Sequence, residues 1–306
     1  MTEPPHERPP AGDADRTLGG GEPWTVLRTI LWSADYLTGK GVEHGRLDAE
    51  HLLAHALGTS RLQLYLQFDR PLDAVELAAY KPLLLRRARR EPLQYVTGRA
   101  AFRELELEVD PRVLIPRPET EVLVDAVLEW VRGRAGLEAL DLGTGSGCIA
   151  LALLVEGPFD RAVATDWSAE ALAVAAGNAA AAGVLGRLEL RHGPLWEALA
   201  PGERFDVLVS NPPYVAQAEA ATLEPEVRDW EPAGALFAGP SGLELLEALA
   251  TGAGERLRPG GLLALEVGLG QAEAVAGLVR EAGGFAPPAI RRDLAGRPRI
   301  VTARKG

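Results

Sequence analysis

Three short polar motifs, each following an apolar run, carry the groups that could do chemistry in this 306-residue chain. The first is Asn211-Pro212-Pro213-Tyr214, which follows Val207-Leu208-Val209-Ser210. Its prolines remove two backbone donors and stiffen the loop. Asn211 precedes a proline and is pushed towards extended backbone. What such a ledge offers is a row of acceptors, the Asn211 side-chain oxygen and the Pro212 carbonyl, beside the aromatic face of Tyr214. Acceptors next to a ring suit a planar group bearing an NH2, either a carboxamide or an exocyclic base amine. Asn-Pro and Pro-Pro are also ordinary loop signals, so the motif gains its meaning from its partners.

The second motif is Asp141-Leu142-Gly143-Thr144-Gly145-Ser146-Gly147. Its glycines permit a tight turn and let a ligand approach the backbone. The pattern is shared with dinucleotide-binding folds, but Asp141 stands directly before it. A carboxylate there opposes a pyrophosphate and suits a cationic or amino group. The third is Asp166, about twenty residues on, where an acidic side chain can accept from ribose hydroxyls. A ligand with a ribose and a cationic end but no phosphate is S-adenosylmethionine. With a planar NH2 group opposite, the chemistry is N-methylation. Transfer to such a nitrogen calls for placement rather than for a metal, and none is expected.

These motifs need a parallel sheet whose strand ends meet in one crevice. Strands are predicted at 137–142, 161–165, 187–191, 205–209 and 261–267, alternating with helices at 148–156, 168–182, 241–257 and 271–282, and a strand pair closes the chain. Such alternation means a mostly parallel sheet covered on both faces. Residues 1–22, rich in Pro, Gly and charge, read as a disordered tail. Residues 23–98 read as a helical domain, with Ser60 and Asp73 as caps. Residues 99–116 read as a β-hairpin linker, its strands spanning 102–115 and broken at Asp110-Pro111. Residues 117–306 form the α/β domain, opened by a helix with Pro118 in its first turn.

Composition narrows the classes. A net charge of -11 argues against a sequence-independent nucleic-acid binder. The single cysteine, Cys148, excludes an internal disulfide framework. No signal-peptide core or membrane-length apolar run is evident, so no membrane partner and a cytoplasmic location are expected. Arg86, Arg87, Arg89 and Arg90 read as a solvated helix end, with docking of an acidic partner as the sharper alternative. His51 and His55 stand four apart, but nothing near them completes a metal site.

The motifs resemble those of class I S-adenosylmethionine-dependent methyltransferases that modify amide or exocyclic amine nitrogens. Glu91-Pro92-Leu93-Gln94-Tyr95-Val96-Thr97-Gly98 and Leu114-Ile115-Pro116-Arg117-Pro118-Glu119-Thr120-Glu121 narrow the resemblance to the bacterial release-factor glutamine methyltransferases, the PrmC or HemK family. Glu231-Pro232 and Asp293-Leu294-Ala295-Gly296-Arg297 are similar to that family too. The resemblance implies a Rossmann-like domain with a seven-stranded sheet, behind a helical domain that helps hold the partner. It implies the Gly-Gly-Gln loop of a release factor as substrate, held by Asn211, Pro212, Pro213 and Tyr214, with Tyr214 packed on the amide plane. It places the cofactor against Asp141, Gly143, Thr144, Gly145, Ser146, Gly147, Asp166, Leu195 and Asn211, with Glu119 on the cofactor side. One departure stands out: Pro194 occupies the position where the family usually has an acidic residue, leaving Leu195 or Trp196 to pack on the adenine. His192 is a weak candidate for a base. Adenine-N6 methylation of nucleic acid and methylation of a ribosomal-protein glutamine remain the alternatives.

Overall fold

A computed structural model describes residues 23–306; the expected tail at 1–22 lies outside them. The chain divides into two compact units, one ending at Thr97 and the other spanning Gly98–Gly306.

The first unit is helical, with α1 (Val26–Gly39), α2 (Gly45–Ala56), α3 (Arg61–Tyr65), α4 (Ala74–Ala88) and α5 (Leu93–Thr97). Ser60 and Asp73 start α3 and α4 as capping boxes, each closed by the side chain three residues on, Gln63 or Glu76. Ile30, Leu37, Leu52, Leu53 and Leu84 form its core. The arginine cluster is solvated only in part: Arg89 is exposed, whereas Arg86 and Arg87 are engaged in the fold. Arg87 is buried against the Asp48 carboxylate at 2.7 Å. Arg86 donates to Glu91 and to the carbonyls of Tyr95 and Val96. The ends of α4 and α5 are thereby tied together, which consumes both guanidinium groups. No helix among the described residues is long and apolar enough to cross a membrane.

The second unit opens with a hairpin of β1 (Arg99–Phe102) and β2 (Leu105–Glu108). Its turn falls at Arg103-Glu104, not at Asp110-Pro111 as the alternation suggested. Arg103 holds left-handed backbone at φ 53°. Its guanidinium forks onto Glu156, with both bonds at 2.7 Å, and also meets Asp125. Distant charges thus hold a turn that carries no glycine. Next come α6 (Pro118–Trp130), β3 (Leu137–Leu142), α7 (Cys148–Glu156), β4 (Phe159–Asp166), α8 (Ala169–Ala181), β5 (Leu188–His192) and β6 (Phe205–Ser210). After them follow α9 (Pro225–Arg228), α10 (Glu244–Arg256), β7 (Leu257–Glu266), α11 (Ala272–Ala282), β8 (Ala289–Arg292) and β9 (Pro298–Arg304).

The sheet order is β5-β4-β3-β6-β7-β9-β8, with only β9 antiparallel to its neighbours. Its central strands are apolar because both faces are covered: Leu140, Leu208 and Leu263 are wholly buried. From β3 the chain steps outward through β4 to β5 and then returns to β6 on the other side. The C-terminal ends of β3 and β6 therefore flank the topological switch point, where open α/β sheets bind ligands.

Candidate active site

A cleft of about 950 Å³ opens at that switch point. Gly143 to Ser146 line it from the β3 side, Asp166 to Ala171 from β4, Pro194 and Leu195 from beyond β5, and Asn211 to Pro213 from β6. Pro116, Arg117 and Thr120 close it from the start of α6.

The glycine loop is stapled to its neighbour. The amides of Gly143 and Thr144 both donate to the Thr165 carbonyl at 2.9 Å, Gly145 donates to Asp166 Oδ2 at 2.9 Å, and Gly147 donates to Thr144. Those donors are spent internally, so they cannot cradle a phosphate as a nucleotide-binding loop does. Gly143 and Gly145 adopt left-handed backbone, and a Cβ on either would meet nothing within 4 Å. Both face open space that a ligand can enter. Gly147 serves packing instead. A Cβ there would lie 3.2 Å from Leu151 and 3.3 Å from Ala175, so the bare glycine lets α7 pack closely. Asn178, buried on α8, secures the loop from outside by donating to the Ser146 carbonyl at 2.9 Å.

Asp141 is fully buried. Its Oδ2 accepts from the Thr144 hydroxyl at 2.7 Å and the Ala150 amide at 3.3 Å, while Oδ1 has no partner. An orphaned, buried carboxylate oxygen under an open glycine loop is the feature that an ammonium group would satisfy. Burial, with the Asp166 charge nearby, pushes the Asp141 carboxyl up to about 7. Asp166 accepts from the Gly145 and Ser168 amides, both at 2.9 Å, and burial raises its carboxyl as well. Each carboxylate oxygen can accept more than one bond, so Asp166 retains capacity for hydroxyls in the cleft that it lines. These residues fit S-adenosylmethionine: an acceptor for its amino group and an acidic side chain for its ribose.

The Asn211 amide is fixed from behind. Its Nδ2 donates to Thr120 Oγ1 at 3.1 Å, and the Thr120 hydroxyl donates to Glu266 Oε2 at 2.7 Å. The amide nitrogen is thus committed to α6, which leaves Asn211 Oδ1 as the free end beside the cleft. Ser210 anchors the strand end by donating to the Leu142 carbonyl at 2.6 Å.

Asp141 and Gly147 are buried and absent from the cleft lining, and Tyr214, Glu119 and His192 lie outside it as well. The Tyr214 hydroxyl donates to Glu266 Oε1 at 3.3 Å and accepts from Arg299 at 3.1 Å, whose guanidinium sits 5.3 Å from the ring centre. Burial, reinforced by the Glu266 charge, pushes its phenol up to about 12. Glu119 also lies outside the lining and is held by Arg297 at 2.8 Å; its neighbour Thr120 takes the place at the cleft. His192 Nε2 donates to the Trp167 carbonyl at 2.8 Å and does not line the cleft. Leu195 does line it, in left-handed backbone at φ 42°, whereas Trp196 turns away and packs on Gly252.

The sequence gives no local reason to assign a site role to Thr120, which stands within the Leu114-to-Glu121 motif, or to Arg299, Asn178 and Trp167. Glu266, also without an assigned role, had a readable signal: a lone carboxylate in the apolar run Leu262-Leu263-Ala264-Leu265-Glu266-Val267. Arg117 and Glu231, quoted only as matching motifs, form an ion pair that joins the start of α6 to the loop after the tetrapeptide. Glu231 also accepts from the Ile115 amide.

The raised Asp141 carboxyl has a consequence for stability. Its folded value lies above the usual carboxylate range, so burial costs nothing extra while the group is neutral in both states. The cost grows as pH rises towards 7. Without cofactor, Asp141→Asn should raise the melting temperature by a few degrees more at pH 8 than at pH 5.5. Equal gains in thermal melts at the two pH values would contradict the buried, ionising carboxylate.

Known proteins share both units of the chain. The family model described as the PrmC N-terminal domain matches residues 29–98, and that of the methyltransferase small domain matches residues 119–225. A protein of Geobacter sulfurreducens named release factor glutamine methyltransferase is 44% identical over 93% of this chain and 98% of its own length. A protein of the same name from Cereibacter sphaeroides is 47% identical over 88% of this chain and 94% of its own length. Among solved structures, the hMettl16 catalytic domain in complex with a MAT2A 3'UTR hairpin aligns at a TM-score of 0.53. It covers 73% of this chain and 80% of that one at 19% identity, a likeness of fold alone.

Proposed function

We propose a reaction for this chain from one premise: it belongs to the release factor glutamine methyltransferases. The chain transfers a methyl group from S-adenosylmethionine to the side-chain amide nitrogen of a release-factor glutamine, the one in the Gly-Gly-Gln loop. The observation that carries the reading is the orientation of Asn211: with Nδ2 spent on Thr120, its Oδ1 is the end offered to an incoming N–H.

Bound in the cleft, S-adenosylmethionine supplies a methyl group on a cationic sulfur. Asp141 Oδ1 takes the amino group of the ligand and Asp166 takes its ribose hydroxyls. Leu195 packs on the adenine where Pro194 offers no acceptor. An amide nitrogen is a poor nucleophile, because its lone pair is shared with the carbonyl. Asn211 Oδ1 and the Pro212 carbonyl each accept one hydrogen of the substrate NH2. That would orient the nitrogen towards the methyl group and stabilise the positive charge that develops on it. As the N–CH3 bond forms, the S–CH3 bond would break with its electron pair leaving on sulfur as S-adenosylhomocysteine, and the nitrogen would lose one proton to water, leaving a secondary amide.

The test is mass spectrometry of the release-factor peptide after incubation with the enzyme and S-adenosylmethionine. One added methyl on the Gly-Gly-Gln glutamine is expected. Label on nucleic-acid adenine instead, with the peptide unchanged, would overturn the assignment.

A further inference from the structure

We infer that Glu266 and Thr120 are positioning residues for methyl transfer: the buried Glu266 carboxylate accepts the hydrogen bond of the Thr120 hydroxyl and so compels Asn211 to turn its carbonyl oxygen to the acceptor nitrogen. This rests on the reading above.

A threonine hydroxyl has one proton to donate. The Thr120 hydroxyl donates its hydrogen bond to Glu266 Oε2 at 2.7 Å. The hydroxyl can then meet Asn211 only as an acceptor, and only the NH2 end of Asn211 can satisfy it, as at 3.1 Å here. Without this relay, nothing distinguishes the two ends of the Asn211 amide. Reversed, the side chain would present donors to a substrate that also brings donors.

Glu266 controls the other end of the tetrapeptide as well, since its Oε1 accepts from the Tyr214 hydroxyl at 3.3 Å. The arrangement is costly. Glu266 is fully buried at the end of β7, and its nearest cation, Arg299, stays 3.9 Å away. A buried carboxylate with so distant a counter-charge lowers stability, and an apolar residue would suit the strand better. Local conflicts of this kind concentrate at functional sites.

The same geometry makes the relay sensitive to pH. The groups facing Glu266 are Thr120 and Glu119 from α6, Cys148 from α7, Tyr214 from the loop after β6 and Arg299 from β9. Burial pushes the Tyr214 phenol and the Cys148 thiol each up to about 12. Glu266 itself is pushed up to about 7 by burial. Once protonated, it no longer requires the Thr120 hydrogen bond, and the polarity of Asn211 is lost. Asp141 ionises in the same range on the cofactor side, so the informative quantity is the change in the acid limb between wild type and Glu266→Gln.

The experiment compares wild type, Thr120→Val, Thr120→Ser and Glu266→Gln by steady-state methylation of a release factor from pH 6 to 9, with S-adenosylhomocysteine affinity measured by calorimetry. Thr120→Val keeps the shape and loses the hydroxyl; its kcat should fall about 10- to 100-fold while cofactor affinity stays within about threefold. Thr120→Ser keeps the hydroxyl and should recover to within a few-fold of wild type. Glu266→Gln should flatten the acid limb of kcat. A packing role for Thr120 predicts the reverse, a tolerated valine and an impaired serine, and that result would overturn the inference. So would an acid limb unchanged by a folded Glu266→Gln protein. A wild-type enzyme that leaves the release factor unmethylated would instead overturn the function on which the inference depends.

Discussion

Replacing Asn211 with alanine should slow methyl transfer by about 100- to 1000-fold, the scale expected when one pre-organised group facing a developing charge is removed. Cofactor affinity should change far less, because the Asp141 and Asp166 contacts lie on β3 and β4 while Asn211 follows β6. The side chain makes its hydrogen bond to Thr120 at the edge of the cleft, and alanine removes it without opening the packed core. Single-turnover transfer to release factor, paired with calorimetry of S-adenosylhomocysteine, separates the two effects. A near-native transfer rate would show that the Asn211 oxygen does not hold the acceptor amide.

The second large effect is expected at Asp166. Two hydroxyl bonds to a carboxylate are each worth about 1.5–3 kcal/mol, so Asp166→Ala should weaken S-adenosylhomocysteine binding by about 100-fold or more. Part of that loss is indirect. The Asp166 carboxylate also holds the Gly145 and Ser168 amides, and alanine releases the glycine loop. Asp166→Asn keeps one acceptor oxygen and the side-chain shape, and should fall between alanine and wild type. If calorimetry finds Asp166→Ala unchanged, the ribose contact lies elsewhere in the cleft.

Both predictions start from residues legible in the chain alone. Gly143, Gly145, Asp166 and Asn211 announce themselves by local rules: glycines where the backbone must turn tightly, acids at strand ends, an asparagine before a proline. The strand at 137–142, the helix at 148–156 and the Ser168 cap were also predictable, because apolar periodicity and capping act within a few residues. The hairpin turn was misplaced because its determinant is not local. Arg103 turns without glycine while its guanidinium is held by Asp125 and by Glu156, 53 residues later.

The site divides along the same line. The sequence by itself determined which groups a methyl donor and an NH2 acceptor would need, since residue type and strand-end position carry that chemistry. The tertiary structure decided which way those groups face. Thr120 is 91 residues from Asn211 and 146 from Glu266, and the three meet only because the sheet order brings β6 beside β7 under the start of α6. Helical geometry turns Thr120 towards the cleft and Glu119 away to Arg297. Tyr214 is drawn out of the cleft by Glu266 and Arg299. A hydrogen bond depends on distance and donor direction, and for residues this far apart in the chain neither exists until the sheet has formed.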